Sequence, residues 1–361
     1  MRSRVVILPA ESTVLDIVDV DLPDPRDHEV VVELAATGVC HSQLHNMHAP
    51  NRTAATVLGH EAAGIVVAVG DRVERVRPGD HVVVTWIPRV DPRRPIAPVL
   101  DVPAYGRVAV RDVFTWATRT LVDELLVVPI PRDVDLALAA VVGCAVMTGA
   151  GAVRHSARVP AGASVVVIGA GGVGLCAIAA ARRSQANPVI AVDLSAAKLE
   201  MARAFGATHV IDASVVDAVE AVRELTRSHG GRDALGQPVR GADFVFDCVG
   251  TSATTADAIA MARNAWFGRS PGGTAVIVGV PQTRFDLDAA GLLVAEKHII
   301  GSLGGSSVPE RDVPDLLEWH RRGEFDLAAL VTARYRIEDI NRATEDLEAG
   351  VISGRCIVDL A

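Results

Sequence analysis

The sequence predicts an α/β protein with two domains, a β-rich domain of barrel type and a doubly wound parallel sheet. Three observations favour this fold class. The first ~130 residues are rich in Val, Pro and Gly and form short β-favouring runs between turn signals. From about Val146 onward, apolar strands alternate with helical patterns, as in a parallel sheet covered by helices. The length of 361 residues also suits two domains better than one.

In the first part of the chain, turns separate the β-favouring runs. These runs are Glu29–Ala35, Gly64–Val69 and His81–Thr85, and the sequence Arg-Pro-Gly-Asp at 77–80 is typical of a turn. Five prolines lie within the sixteen residues 88–103. Because proline lacks a backbone donor and has a fixed φ, we expect this stretch to be irregular.

The later part of the chain alternates between two periodicities. Val165–Ile168 is a continuous apolar strand that leads into a Gly-rich turn and the Ala-rich run Gly174–Ser184. The elements expected after it are strand Pro188–Asp193, helix Ala196–Phe205, strands Phe244–Asp247 and Thr274–Val278, helices Asp312–Arg321 and Ile337–Leu347, and strand Arg355–Leu360. Strands that alternate with helices in this way predict a parallel sheet.

Composition excludes several classes of protein. Lys and Arg total 35 against 44 Asp and Glu, so a net charge of −9 gives no general attraction to nucleic acid or to anionic membranes. The hydrophobic content of 50% excludes intrinsic disorder. Apolar runs are broken by Gly or charge before the ~18 residues of a membrane helix, and the first residues do not resemble a signal peptide. Five cysteines, an odd number, cannot form a disulfide framework, so we expect a cytoplasmic protein.

A Gly-rich turn predicts a dinucleotide site. Gly169, Gly171 and Gly174 fit the pattern G-x-G-x-x-G directly after a strand, with Gly172 and Val173 opening the helix that follows. Asp193 ends the next strand, where a carboxylate binds the ribose hydroxyls of NAD and repels the 2′-phosphate of NADP. Lys198 follows without a neighbouring Arg pair, so NAD is favoured over NADP. The alternatives are an incidental glycine run and a helix N-cap role for Asp193.

Three residues spread over the first domain could bind a metal. Cys40, His60 and Cys144 form a set of two thiolates and one imidazole, which suits Zn²⁺ with a fourth position open for substrate. Their gaps of 20 and 84 residues match no local zinc motif. Taken singly, each cysteine could equally be a small buried side chain and the histidine a core or surface residue.

Several motifs in one order resemble the medium-chain dehydrogenase/reductase superfamily, in its zinc-dependent alcohol dehydrogenase branch. They are GVCHSQLH at 38–45, GHEAAG at 59–64, GDHVVV at 79–84, GCAVMTG at 143–149, VVVIGAGGVG at 165–174, CVG at 248–250, VGVP at 278–281 and Gly354–Arg355. The resemblance runs nearly end to end. It implies a GroES-like catalytic domain over 1–145 and 304–361, a Rossmann NAD-binding domain over 146–303, and oxidation of an alcohol to an aldehyde or ketone.

The resemblance also implies roles for single residues in catalysis. Cys40, His60 and Cys144 would bind the catalytic zinc, with Glu61 behind the metal. Ser42 would hydrogen-bond the alcohol oxygen, and His45 would pass its proton to solvent. Thr148 would border the nicotinamide, and Trp86 would line the substrate pocket, unless it is simply a half-buried indole at a domain edge.

Further roles concern the cofactor and the assembly. Besides the Gly-rich turn, Asp193 and Lys198, the positions implied to contact the cofactor are His41 and Arg355 at the pyrophosphate, together with Val249, Val278 and Val280. Members of the family pair through the nucleotide-binding sheet, which implies a homodimer or homotetramer. The substrate would be a small alcohol, aldehyde or ketone.

Two features depart from the family's pattern. Gln43 stands where an Asp commonly accepts a hydrogen bond from the zinc-binding histidine. We expect its carbonyl to accept that bond without supplying charge, so that the zinc is a stronger Lewis acid and the pH–rate profiles of wild type and Gln43→Asp differ. Neutral drift at a tolerant position is the alternative.

The second departure is the absence of cysteine between Cys40 and Cys144, where many relatives have four closely spaced cysteines. No structural zinc can be bound there by thiolates, so we expect one zinc per chain. The segment Trp86–Val108 replaces that site, and its prolines would restrain it. Arg89, Arg93 and Arg94 in this segment read as a solvated face, or else as a contact for an acidic substrate or a second subunit.

Three other functions stay open at this point. Within enzymes, the chain could act as a polyol dehydrogenase or reduce a conjugated iminium or enal, although Ser42 and His45 argue against the latter. From another class, it could be a nucleotide-binding sensor that has lost turnover, although all three ligand residues are present. Zinc content and NADH absorbance with a panel of alcohols discriminate these readings.

Overall fold

The computed structural model describes residues 1–227, 231–281 and 284–360. The chain forms two compact units, unit 1 being Met1–Met147 with Val308–Ala361 and unit 2 being Thr148–Ser307. The predicted changes of domain lie at 145/146 and 303/304. In the predicted division and in the observed one alike, the chain leaves the first part once and returns to it after the second part is complete.

The strands follow one another through both units. They are β1 (Arg2–Leu8), β2 (Asp16–Asp21), β3 (Glu29–Val39), β4 (Thr56–Val57), β5 (Glu61–Val69), β6 (His81–Thr85), β7 (Val99–Val102), β8 (Gly106–Ala109), β9 (Arg119–Asp123), β10 (Val127–Ile130), β11 (Val165–Ile168), β12 (Val189–Asp193), β13 (His209–Asp212), β14 (Phe244–Asp247), β15 (Thr274–Ile277), β16 (His298–Gly301), β17 (Val331–Arg336) and β18 (Arg355–Asp359).

The α-helices are mostly short in unit 1 and longer in unit 2. They are α1 (His41–Met47), α2 (Leu136–Ala139), α3 (Met147–Gly151), α4 (Gly172–Arg183), α5 (Ala196–Ala204), α6 (Ala218–Leu225), α7 (Ser252–Met261), α8 (Ala289–Ala295), α9 (Pro309–Arg321), α10 (Leu327–Leu330) and α11 (Ile340–Glu348). Two π-helical turns, Val142–Val146 and Ala152–Ser156, flank α3.

The main sheet of unit 1 brings distant parts of the chain to one place. Its order is β10-β6-β5-β3-β18-β17, with β9 also paired to β3, and a smaller sheet has the order β2-β1-β4. The C-terminal strand β18 pairs antiparallel with β3, so that Cys356 lies opposite Val39. On the other side of β3, Thr37 lies opposite Ala62 of β5. The ends of three strands that are remote in sequence therefore meet at Cys40, His60 and Arg355.

The proline-rich stretch 88–103 is only partly irregular. Its last residues form β7, which pairs with β8 in a two-stranded hairpin. Pro98 and Pro103 lie just outside β7 and need no place in the ladder. Between them Leu100 and Val102 are buried while Val99 and Asp101 are exposed, which is the alternation of a half-buried strand. The expectation of an irregular segment is therefore wrong for 99–102.

Unit 2 contains a six-stranded parallel sheet. Its order is β13-β12-β11-β14-β15-β16, and all of its neighbouring pairs are parallel. The strand order reverses between β11 and β14, and ligands of such sheets bind at the carboxyl ends of the strands at this point. Strands β11 and β14 begin and end at the predicted residues. The sheet confirms the predicted Rossmann architecture.

One helical stretch, Leu136–Ser156, is long and apolar enough to span a membrane by length and composition alone. The sequence expectation that no run reaches this length is wrong, because glycines within the run do not interrupt the helix. Of its most apolar window, 78% is buried inside the protein. A buried core helix passes the same test, so this run gives only weak evidence for a membrane span.

Candidate active site

The three predicted metal ligands lie together in unit 1. The ligand atoms of Cys40, His60 and Cys144 all lie within 4.8 Å of one another, and His60 Nε2 is 3.2 Å from Cys144 Sγ. Ligand atoms around a tetrahedral zinc, with bonds of about 2.1–2.3 Å, are separated by roughly 3.5–3.8 Å. The donor set and its spacing therefore fit zinc. Within the described residues, no other group of His, Cys, Asp or Glu side chains meets the same criterion.

Two of the ligands lie at the ends of strands, and the third lies within a helical turn. Cys40 follows β3 and is the N-cap of α1, and His60 directly precedes β5. Gly59 before it has a φ of 92°, and a Cβ there would lie 2.5 Å from the backbone nitrogen of Trp116, so only glycine fits this approach. Cys144 is the central residue of the π-helical turn Val142–Val146. Such turns are rare and concentrate at functional sites.

The turn that carries Cys144 is held against β6. Thr85 Oγ1 donates a 2.6 Å hydrogen bond to the carbonyl of Gly143. A Cβ on Gly143 would lie 2.6 Å from the carbonyl oxygen of Val84, so the absence of a side chain allows the close approach. Neither contact is visible in the local sequence, since 58 residues separate Thr85 from Gly143.

The cysteines differ in the direction in which their surroundings shift the pKa of the thiol. A hydrogen bond with Cys144, aided by Arg355 and His60 and opposed by burial, lowers the pKa of Cys40 well below its usual value. Burial instead raises the pKa of Cys176 and of Cys248, and raises that of Cys356 to about 12. These three thiols stay protonated at neutral pH and are poor metal ligands.

Behind the ligands lies a buried ion pair. Arg355 contacts the carboxylate of Glu61 through Nη2, and their side chains are only 5% and 0% exposed. The other carboxylate oxygen of Glu61 accepts a hydrogen bond from the backbone amide of Ala145, next to Cys144. The predicted contact of Arg355 with a pyrophosphate remains a prediction, and the structure adds this partner. The pairing was not foreseen, because nearly 300 residues of sequence separate Glu61 from Arg355.

Gln43 is buried and binds two groups with its carboxamide. Its Oε1 accepts a 2.8 Å hydrogen bond from the backbone amide of Cys40, and its Nε2 donates a short one to Nδ1 of His60. The expectation that the carbonyl accepts a bond from His60 is therefore wrong. The reason is that the backbone N–H of Cys40 can only donate, and it occupies the carbonyl oxygen.

Other predicted site residues lie in unit 1, three of them on α1. Ser42 Oγ, at the start of α1, is buried and has no hydrogen-bond partner among the described residues. His45 lies in the last turn of α1, and His41 in its first turn is exposed. The ring of Trp86 meets that of His60 edge-on, with centroids 6.3 Å apart. The structure thus brings Trp86 beside a ligand, and its role as a wall of the substrate pocket stays a prediction.

The segment Trp86–Val108 is anchored by buried charges. Arg93 donates to Asp123 at 2.6 Å and lies 3.5 Å from Glu124, and these two carboxylates are 0% and 4% exposed. Asp123 also accepts from the backbone amide of Ile96. Arg89 binds the carbonyls of Leu125 and Val127 through its backbone amide and guanidinium. The reading of Arg89 and Arg93 as a solvated face is wrong, and only Arg94 of the three is exposed.

In unit 2, the Gly-rich turn joins β11 to α4. Gly169 has a φ of 89°, and a Cβ on Gly174 would lie 1.8 Å from the carbonyl oxygen of Gly169, so both positions require glycine. A Cβ on Gly171 would meet open space. Gly171 is the N-cap of α4 and gives no side-chain cap, so the first amides of this 12-residue helix are left for a ligand. Gly172 and Val173 supply two of these amides.

Asp193 ends β12 and faces the Gly-rich turn. One of its carboxylate oxygens accepts a 2.7 Å hydrogen bond from the amide of Ala170, and the other accepts from the amide of Ser195. The N-cap of α5 is Ser195, whose Oγ accepts from the amide of Lys198, so the alternative reading of Asp193 as an N-cap is excluded. Each carboxylate oxygen keeps a further lone pair for a ligand hydroxyl.

Two further loops flank the switch point of the sheet. Val249 follows β14 and Val278 and Val280 follow β15, and both Val249 and Val280 are substantially exposed. The sequence reasoning missed Asp247, which is fully buried at the end of β14 and accepts from the amides of Val249 and Gly250. The signal in the sequence was the position of Asp247 at the end of a predicted strand, directly before the motif CVG at 248–250. Thr148, also in unit 2, has a buried hydroxyl without a hydrogen-bond partner among the described residues.

Comparison with known proteins agrees with this arrangement. The family model for the alcohol dehydrogenase GroES-like domain matches residues 26–132, and that for the zinc-binding dehydrogenase matches residues 172–322. An NDMA-dependent alcohol dehydrogenase of Amycolatopsis methanolica is 33% identical over 97% of each chain. A probable S-(hydroxymethyl)glutathione dehydrogenase 1 of Schizosaccharomyces pombe is 30% identical over 96% of this chain and 94% of its own length.

Solved structures lead to the same family. An alcohol dehydrogenase zinc-binding domain protein of Burkholderia ambifaria is 30% identical with a TM-score of 0.85, covering 100% of this chain and 99% of that one. The benzyl alcohol dehydrogenase of Acinetobacter calcoaceticus is 27% identical, also with a TM-score of 0.85, and the match covers 100% of both chains. The chain therefore belongs to the zinc-dependent alcohol dehydrogenases of the medium-chain dehydrogenase/reductase superfamily.

Proposed function

We propose that this oxidoreductase interconverts a primary or secondary alcohol with its aldehyde or ketone, using NAD and a single zinc ion per chain. The observation that carries the proposal is the convergence of Cys40, His60 and Cys144 in unit 1, with ligand atoms within 4.8 Å of one another. Two thiolates and one imidazole leave the fourth position of a tetrahedral zinc open, which is the arrangement of a catalytic rather than a structural site.

Zinc bound by these three residues would act as a Lewis acid that makes the substrate hydroxyl easier to deprotonate. Side chains of the protein would then transfer the proton from the substrate to solvent. Ser42 Oγ, which is buried and without a partner among the described residues, would accept the proton from the substrate hydroxyl while passing its own hydroxyl proton on toward His45. His45, in the last turn of the same helix, would release it to solvent. Trp86 would orient the substrate through its position beside His60.

The cofactor site would lie on unit 2. The uncapped N-terminus of α4 would bind the pyrophosphate, and the open space at Gly171 would let it approach the backbone. Asp193 would accept hydrogen bonds from the ribose hydroxyls, while Val249, Val278 and Val280 would contact the rest of the dinucleotide. When bound, NAD supplies the hydride acceptor. Thr148 would border the nicotinamide, and His41 and Arg355 would interact with the pyrophosphate.

The proposal also covers the location of the protein in the cell and its oligomeric state. We propose a cytoplasmic enzyme that forms a homodimer or homotetramer, acts on small molecules, and binds neither nucleic acid nor membrane. The net charge of −9 supports the exclusion of polyanionic partners.

The proposed function is tested by measuring zinc content and NADH absorbance on the purified full chain. The panel contains primary, secondary, aromatic and polyol alcohols, together with S-(hydroxymethyl)glutathione and benzyl alcohol, which appear in the names of relatives. NAD, NADP and NDMA are compared as oxidants. We expect one zinc per chain and turnover of alcohols with NAD. A zinc-loaded chain that is inert toward every alcohol and carbonyl would contradict the proposal and favour a nucleotide-binding sensor.

The choice of NAD over NADP depends on Asp193. Replacing Asp193 with Asn should lower the ratio of kcat/KM for NAD over NADP by about 10-fold or more, since a hydrogen bond to a charged group contributes roughly 1.5–3 kcal/mol. The ratio is the quantity to measure, because the loss of the Ala170 contact disturbs the turn for both cofactors alike. Asp212→Asn is the matched control, since Asp212 ends β13 and accepts from the amide of Ser214 in the same way. An unchanged ratio in Asp193→Asn would exclude the proposed role.

A further inference from the structure

The hydrogen bonds around Gln43 leave no freedom in the direction of its carboxamide. The backbone N–H of Cys40 lies 2.8 Å from Oε1 and can only donate, so the oxygen must face it. The NH₂ group must then face Nδ1 of His60, which therefore has to be the acceptor. A neutral imidazole that accepts at Nδ1 has its proton on Nε2, and Nε2 lies 3.2 Å from Cys144 Sγ as a donor to sulfur.

This arrangement gives a partner to the N–H of Cys40, to the carboxamide of Gln43 and to both ring nitrogens of His60 only while no metal is bound. A metal bound by Nε2 takes the lone pair of that nitrogen, so the single proton of the neutral ring moves to Nδ1. Nδ1–H then points at the NH₂ group of Gln43, and two donors face each other. Turning the carboxamide over would satisfy His60, but it would place the NH₂ group against the N–H of Cys40. In either orientation one buried N–H loses its acceptor.

We propose that Gln43 is a positioning residue that holds His60 in the metal-free tautomer, so that the site binds zinc more weakly than it would with a carboxylate at position 43. A carboxylate has an acceptor oxygen for Cys40 and another for His60, so it suits the metal-bound tautomer. The burial of Gln43, which is 1% exposed, prevents water from supplying the missing acceptor freely. The inference rests on the proposed zinc site and adds that Gln43 weakens the affinity of this site for zinc.

The test compares zinc affinity in four full-length proteins by competition with a chromophoric chelator. Gln43→Glu keeps the length of the side chain and provides two acceptors, and Gln43→Asp is a second variant in case a buried Glu disturbs folding. Asn46→Asp is the control, because it adds the same charge to α1 three residues further along. Circular dichroism checks that each variant is folded. We expect Gln43→Glu or Gln43→Asp to bind zinc at least about 10-fold more tightly than wild type, and Asn46→Asp to change the affinity far less.

A second measurement does not depend on zinc or on activity. Long-range ¹⁵N–¹H spectra of histidine-labelled, zinc-free protein report which ring nitrogen carries the proton. We expect Nε2–H on His60 in wild type and Nδ1–H in the carboxylate variants. Equal zinc affinity in wild type and both carboxylate variants, an equal gain in Asn46→Asp, or Nδ1–H in wild type would overturn the inference and leave the proposed function intact. If neither wild type nor any variant binds zinc, the proposed function itself fails.

Discussion

Replacing Arg93 with methionine is expected to lower the free energy of unfolding by roughly 3 kcal/mol, while the zinc content stays unchanged. The substitution keeps most of the apolar stem but leaves Asp123 and Glu124 buried without their guanidinium partner. Breaking a buried ion pair by removing one partner typically costs about 3–5 kcal/mol. The lower end applies here because 27% of the Arg93 side chain is still in contact with solvent.

The matched control for this prediction is the neighbouring arginine. Arg94 is exposed, so Arg94→Met removes the same charge from the same segment and should change stability by no more than about 0.5 kcal/mol. Chemical denaturation of both variants at equal protein concentration gives the comparison. If the two variants are equally stable, the ion pairs of Arg93 do not anchor the segment Trp86–Val108. A larger loss of stability in Arg93→Met would show that ion pairs within the chain hold this segment in place.

Replacing Cys144 with serine is expected to remove the bound zinc and to lower kcat/KM for alcohols by about a thousand-fold or more. A serine hydroxyl is a poor zinc ligand at neutral pH, so only Cys40 and His60 remain from the three-residue set. Loss of several kcal/mol of Lewis-acid stabilisation corresponds to at least this factor in rate. Metal analysis and NADH absorbance measured on the same preparation test both parts of the prediction.

Cys176→Ala is the control for the loss of a cysteine. Cys176 lies in α4 of unit 2, where burial raises the pKa of its thiol, and alanine fits the space that it leaves. This variant should keep one zinc per chain. Two tightly bound zinc ions in wild type would contradict the single-site proposal. Unchanged zinc content in Cys144→Ser would instead remove Cys144 from the ligand set.

Unit 2 was largely predictable from sequence. Its strands are short and apolar, and the Gly-rich turn is a local feature whose residues lie within ten positions of one another. Strands β11 and β14 and the start of helix α5 lie at the predicted residues, since buried parallel strands read as continuous apolar runs. The helical run Leu136–Ser156 was not predicted, because its glycines at 143, 149 and 151 lower the helix propensity and the packing that stabilises the helix is not visible in the sequence.

The sequence by itself determined the fold class, the family, and the three side chains that converge as a candidate zinc site. The motifs that carry the family resemblance are each contiguous, and their residue types follow from the chemistry that they serve. Only the tertiary structure decided that Arg93 pairs with Asp123, that Arg355 pairs with Glu61, and that the carbonyl of Gln43 faces Cys40 rather than His60. Each of these contacts joins groups from separate elements, and its direction depends on which donors and acceptors burial leaves unpaired. That information exists only once the strands are packed, so no local pattern could have supplied it.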